Sequence, residues 1–168
     1  TTSEVTMAGA TVSITDAGVT KTQLDNVNAF TTGTVTALTV TEDRADITTL
    51  QGTTGISLAA TNITVTDAVS LAQAETINGY TSGTVTLNSV SDTVANLATL
   101  AAIDNSEVTI AGAVISVSDA ATKANADTIN AYTTGQVTLT SVSDTVANIT
   151  SIDALTTSEV TMAGATVS

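Results

Sequence analysis

Six acidic residues, spaced almost evenly along 168 residues, constrain this chain more than any other feature in it. Asp16, Glu42, Asp67, Asp92, Asp119 and Asp144 are separated by 26, 25, 25, 27 and 25 residues. Each closes the same four-residue phrase. The six phrases are Ser13-Ile14-Thr15-Asp16, Thr39-Val40-Thr41-Glu42, Thr64-Val65-Thr66-Asp67, Ser89-Val90-Ser91-Asp92, Ser116-Val117-Ser118-Asp119 and Ser141-Val142-Ser143-Asp144. A fixed period of this length is the mark of stacked repeats, each burying its apolar face only against its neighbours.

Inside each repeat the hydrophobic period switches. Val12 and Ile14 alternate with Ser13 and Thr15, the period of a strand with one face turned inward. After the acid the apolar spacing becomes helical, with Leu24, Val27 and Phe30 in a segment read as a helix over 23–30. Val94, Leu97, Leu100 and Ile103 continue the pattern, as do Val146, Ile149, Ile152 and Leu155. A spacing of three also suits 3₁₀ turns. The strand–helix–strand order requires parallel stacking, and such crossovers are right-handed in nearly all cases. The expectation is an α/β repeat solenoid: a right-handed parallel β-solenoid of about six strand–helix coils, each of about 26 residues. At about 4.8 Å per coil the stack advances roughly 29 Å.

Coils alternate between a long form, with a link such as Ala8-Gly9-Ala10, and a compressed one. Double units run approximately over 1–52, 53–104 and 105–155, and a further one begins at 156–168. Ser3-Glu4-Val5-Thr6 recurs at 106–109 and 158–161, and Tyr80-Thr81-Ser82-Gly83 recurs as Tyr132-Thr133-Thr134-Gly135. Residues 1–13 are repeated without change as residues 156–168. The reading is a single continuous array, a window on a longer one, whose partners are further copies of itself.

Composition agrees with narrow stacked layers. Hydrophobic residues make up 42 %, aromatics only 2 %, and the apolar mass is small and β-branched, with Thr nearly a quarter of the chain. There is no Pro to interrupt a ladder, and no Cys or His, which excludes disulfides, zinc sites and thiol or imidazole catalysis. The net charge is −13, with Lys21, Arg44 and Lys123 the only cations. Nucleic acid and anionic membrane surfaces are therefore excluded as partners, since both demand many cations. No apolar run approaches the roughly 20 residues that span a bilayer. Ser and Asp abound, but nothing is in place to activate a nucleophile, so the chain is read as no enzyme.

Three rows of residues could carry chemistry. The acidic row Asp16, Glu42, Asp67, Asp92, Asp119 and Asp144 reads as calcium ligands if stacking brings the carboxylates together. The alternative is six helix N-caps, each worth about 1 kcal/mol, and the lack of an oxygen-dense loop favours the caps over any metal cofactor. The outward Ser/Thr row could present hydroxyls to ice or glycans, as the face of a β-solenoid antifreeze protein does, although half of its coils carry Ser, which lacks the Thr methyl. Phe30, Tyr80 and Tyr132 form either a stacking stripe for sugars or covers over their helix ends. Two residues before them, Asn28, Asn78 and Asn130 read as a stacked amide row at the turn. Asn62-Ile63-Thr64 and Asn148-Ile149-Thr150 match the N-glycosylation triplet.

Residues 117–130 (VSDAATKANADTIN), 132–145 (YTTGQVTLTSVSDT) and 141–149 (SVSDTVANI) resemble the Thr/Ala/Asp-rich tandem repeats of very large bacterial surface and secreted proteins, seen in cyanobacteria and proteobacteria. That likeness, to adhesin, surface-layer and hemolysin-type repeat proteins, implies an extracellular or cell-surface fibre, stalk or coat. The glycine-rich calcium nonapeptide of that group is absent.

Overall fold

A computed structural model describes residues 7–103, 107–155 and 159–168. The first copy of the Ser3-Glu4-Val5-Thr6 motif falls outside those residues, as does the side chain of Leu155. In chain order the first double unit contains β1 (Val12–Ile14), α1 (Lys21–Asn28), β2 (Val35–Ala37), β3 (Thr39–Glu42) and α2 (Arg44–Gly52). The second contains β4 (Ile56–Ser57), β5 (Asn62–Val69), α3 (Leu71–Asn78), β6 (Val85–Asp92) and α4 (Val94–Ile103). The third contains β7 (Val108–Thr109), β8 (Val114–Ala121), α5 (Lys123–Asn130), β9 (Val137–Val142) and α6 (Val146–Leu155), followed by β10 (Val160–Thr161) and β11 (Thr166–Val167).

The result is an α/β fold with parallel sheets and six helices among the described residues. One sheet has the order β1-β2-β4. The larger runs β10-β9-β8-β6-β5-β3, with β7 also paired to β6 and β11 to β9. Consecutive helices touch in order from α1 to α6. The three-residue apolar spacings are α-helices, because each segment is long enough to close i→i−4 bonds over two turns or more. The first begins at Lys21 and ends at Asn28, earlier than the expected 23–30, because Thr20 and Gln23 form a reciprocal capping box at its start.

Hydrogen-bonded partners between strands lie 21 to 25 residues apart, less than the sequence period. At each of two bulges the interval shortens by one more residue, from 22 to 21. Thr66 and Asp67 of β5 oppose Asn88 alone, between the pairs Val65↔Leu87 and Ala68↔Ser89. Ser118 and Asp119 of β8 oppose Thr140 alone in the same way. Two residues against one bend the strand and redirect its side chains.

That register builds apolar ladders through the core. Val40, Ile63, Val85 and Val108 are successive partners, as are Val90, Ile115, Val137 and Val160. All eight are buried. Leu24, Ile47, Leu50, Ile77, Leu97, Leu100 and Ile129 close the core from the helices. Such short β-branched and aliphatic chains fill a narrow layer without voids, at roughly 1.5–3 kcal/mol for each Val, Ile or Leu fully buried.

The same register replaces the expected single hydroxyl row. Thr41, Thr64, Thr86 and Thr109 are neighbours, and so are Ser91, Ser116, Thr138 and Thr161. Residues at equal places in the phrase, such as Thr41 and Thr66, do not face each other.

Candidate functional site

The repeating turn and the acidic phrase together form a seam of side chains that joins each repeat to the one before it. Expected to cap their own helices, the acids mainly do something else. The helix N-caps belong to Thr20, Asp43, Ser70 and Thr122, and Thr93 and Thr145 accept in the same manner from Asn96 and Asn148 N–H at 3.3 Å. Asp16, four residues before Thr20, the cap of α1, caps no helix among the described residues.

The other five acids reach across to the preceding helix. Glu42 Oε1 accepts from the N–H of Lys21 at 2.6 Å, where α1 begins. Asp67 Oδ1 accepts from Arg44 N–H at the start of α2, and Asp92 Oδ2 from Leu71 N–H at the start of α3. Asp119 Oδ1 accepts from Val94 N–H, and Asp144 Oδ2 from Lys123 N–H. The last four bonds are all 2.8 Å. Each donor is the first helical residue, whose N–H has no partner inside the helix. A carboxylate there is also favoured by the helix dipole.

Asp92 and Asp144 serve two repeats at once. Their second oxygen accepts from the following backbone N–H, of Thr93 at 2.8 Å and of Thr145 at 2.7 Å. It also accepts from the side-chain amide of Asn96 or Asn148, both at 2.8 Å. Burial pushes the Asp92 carboxyl up, but the bonds from Leu71, Asn96 and Thr93 outweigh it and leave the group below the ordinary carboxylate range. The Lys123 N–H, the Asn148 amide and the Thr145 N–H hold Asp144 below that range too.

A second set of bonds stitches the turns. Thr31, Thr81 and Thr133 Oγ1 donate to the carbonyls of Ala10, Thr61 and Ala113 in the preceding repeat, at 2.5, 2.6 and 2.6 Å. The same hydroxyls accept from the N–H of Gly33, Gly83 and Gly135. A Cβ on any of these glycines would overlap the same carbonyl, so the backbones close to a distance only Gly permits. The Thr-x-Gly turn is visible in the sequence, but nothing local assigns its Thr hydroxyl to the preceding repeat. Its recurrence immediately after each aromatic was the signal available.

The asparagine row reaches forward rather than stacking. Asn28 Nδ2 donates to the Thr54 carbonyl at 3.0 Å, while Asn78 and Asn130 donate to Glu107 and Glu159 at 3.1 and 3.2 Å. Tyr80 and Tyr132 are half-buried against the core, and Phe30 is 66 % exposed, so the three rings do not share one role. Lys21 and Lys123 pair with Asp25 and Asp127 of their own helices at 2.6 Å, and the Asp25 bond raises the Lys21 ammonium above its usual range.

The calcium reading required carboxylates to converge. No group of three or more metal-ligating side chains is assembled among the described residues, because the acids are dispersed to separate helix starts. No described helix is long and apolar enough to cross a membrane. No family model, no curated protein and no solved structure matches the chain.

Proposed function

We propose that this chain is a structural segment of an extracellular tandem-repeat fibre, stalk or surface coat, built as a right-handed parallel β-solenoid and without catalytic activity. The observation that carries this reading is the seam. The same carboxylate-to-helix bond is made between five successive pairs of repeats. A device repeated at every junction serves continuity along an axis, whereas a site for a ligand would concentrate its polar groups in one place. The slender, Pro-free, β-branched interior and the charge of −13 fit an exposed, soluble rod.

The test joins copies so that residue 168 of one is followed by residue 14 of the next, the shared thirteen residues being counted once. Small-angle scattering on one, two and three copies should show the longest dimension growing by about 29 Å per copy at constant cross-section. Growth as a compact particle would sink the rod.

The hydroxyl ladders support a second reading. Thr41, Thr64, Thr86 and Thr109 form an outward line at the spacing of paired strands, which could meet ice or a glycan. Thermal hysteresis and a glycan array test it directly.

A further inference from the structure

We propose that Asn62 is an attachment site for an N-linked sugar, and that Asn148, which opens the same triplet, is not. The inference goes beyond the rod and does not rest on it.

The chain contains two Asn-x-Ser/Thr triplets, Asn62-Ile63-Thr64 and Asn148-Ile149-Thr150, identical in all three residues. Such a triplet is read as a unit: the Asn amide nitrogen takes the sugar, and the hydroxyl two residues on is presented with it. Sequence alone ranks the two sites equal. The fold separates them.

Asn62 opens β5, and residues two apart in a strand share a face. Ile63 is buried in the core, so Asn62 and Thr64 both stand on the outer side, Asn62 exposed and Thr64 half-buried. The Asn62 amide is anchored by its oxygen: Oδ1 accepts from Thr84 N–H at 2.9 Å. Its nitrogen Nδ2 has no partner among the described residues, and neither has Thr64 Oγ1. An amide fixed through its oxygen leaves its nitrogen, the end that takes the sugar, free on the surface.

Asn148 lies in the first turn of α6, where residues two apart are separated by about 200° around the axis. Both of the atoms that matter are also committed. Asn148 Nδ2 donates to Asp144 Oδ1 at 2.8 Å, and Thr150 Oγ1 donates to the Val146 carbonyl at 2.8 Å. One enzyme site cannot hold the two groups together until the helix opens.

The fold does not require Asn at position 62. In β8, which has the burial pattern of β5, Val114 stands in its place and is 46 % exposed. The backbone bond from Ile63 N–H to the Thr84 carbonyl recurs there, from Ile115 N–H to the Gln136 carbonyl, both at 2.8 Å. Val offers no side-chain acceptor, so the strand forms without one. Asn62 thus adds a chemical group that the strand itself does not need.

The co-substrate is a sugar activated as a phosphate ester on a nucleotide or lipid carrier, brought by a glycosyltransferase. Nδ2 attacks the anomeric carbon, the bond from that carbon to the phosphate oxygen breaks, and its electron pair leaves with the phosphate. One amide proton passes to a base of the transferase, and nothing is oxidised or reduced. Oδ1 keeps its bond to Thr84 throughout.

The folded full chain is incubated with a soluble N-glycosyltransferase and its nucleotide-activated hexose, and the sites are mapped by peptide mass spectrometry. Asn62 should gain one hexose about tenfold or more faster than Asn148, whose helix must open first. Isolated peptides of residues 58–68 and 144–152 should be modified at similar rates. Asn62→Gln and Thr64→Ala should each abolish the addition at this site, the second while keeping the bond to Thr84. The singly modified chain should melt at the temperature of the parent. A folded chain unmodified at Asn62, or modified as fast at Asn148, would overturn the proposal. So would peptides that differ as much as the folded sites do, since the selectivity would then lie in the sequence. A marked fall in melting temperature would place Nδ2 inside the packing and overturn it too. None of these outcomes bears on the fused-copy scattering, so the rod is tested separately.

Discussion

Gly135 and Gly112 separate two uses of glycine in the same few ångströms of chain. A Cβ at Gly135 would run into the Ala113 carbonyl, whereas one at Gly112 meets nothing, and Ala60 already stands at the position equivalent to Gly112. Gly135→Ala should cost roughly 1–3 kcal/mol by forcing apart two backbones, and Gly112→Ala should be neutral or slightly stabilising. Chemical denaturation of the two variants checks both. The bridging acids give a pH signature. Asp92 and Asp144 are held below the ordinary carboxylate range when folded, so their contribution is present above pH about 4 and is lost as acid protonates them in the native state. Asp92→Asn replaces one acceptor oxygen by an amide facing two donors, so Asn is not an equivalent cap here. The substitution should cost about 1 kcal/mol at neutral pH, kept small by solvent screening. In the Asp92→Asn, Asp144→Asn double variant, the fall in melting temperature between pH 5 and pH 2.5 should be shallower than in the parent. An unchanged slope would remove both carboxylates from the account.

At the scale of elements, local pattern and remote geometry part company. Alternation places Val117 inward and Ser118 outward, and the strand has that orientation, with Val117 fully buried and Ser118 exposed. Helical spacing likewise finds Leu97, Leu100 and Ile152 in the core. Phe30, two residues beyond the end of α1, breaks the pattern and is exposed, whereas Tyr80 and Tyr132, placed the same way after α3 and α5, pack against the core. What the sequence could not supply was the register. A period of about 26 residues suggests that like positions face each other, but strands pair at 21 to 25 residues, at 23 even between β3 and β5, where there is no bulge. In that register five of the acids meet the start of the previous helix. A cap whose acceptor lies in another repeat leaves no local trace, whereas a Thr-x-x-Gln box such as Thr20 and Gln23 does. Hydrogen exchange can see the difference. Asp119→Ala should lower protection in the first turn of α4, by about 1 kcal/mol of opening free energy, and spare α5. Thr122→Ala should do the reverse, since Thr122 is the cap of α5. Loss confined to α5 in the Asp119 variant would restore the own-helix reading.

Over the whole molecule, the proposed solenoid makes stability a sum over junctions, and that decides how small a piece can stand alone. Each interior repeat is held by strand pairs on both sides and by an acid from the repeat after it, and every second one also by a Thr hydroxyl to the repeat before it. Residues 53–104 on their own would keep the pairing of β5 with β6 and the Asp92–Leu71 bond. They would lose the pairs of β5 with β3 and of β6 with β7 and β8, together with the Asp119 bond to Val94. Ile63 and Val65 would open on one face of the ladder, and Val90 on the other. Backbone ordering costs roughly 1–2 kcal/mol per residue, whether a repeat has two neighbours or one. With its outer contacts gone and its ordering cost unchanged, the pair of repeats falls below the threshold that arrays usually reach only with three units or more. Circular dichroism of the 53–104 peptide should therefore be that of a disordered chain, while residues 1–168 unfold cooperatively. Adding calcium or magnesium at equal millimolar concentration should raise the melting temperature of the full chain by similar small amounts, through screening of its −13 charge, and should not fold the peptide. A peptide that folds alone would mean that each double unit has its own core. The junction would then be a contact between finished domains, and the stitching carboxylates would orient neighbours without being needed to fold them.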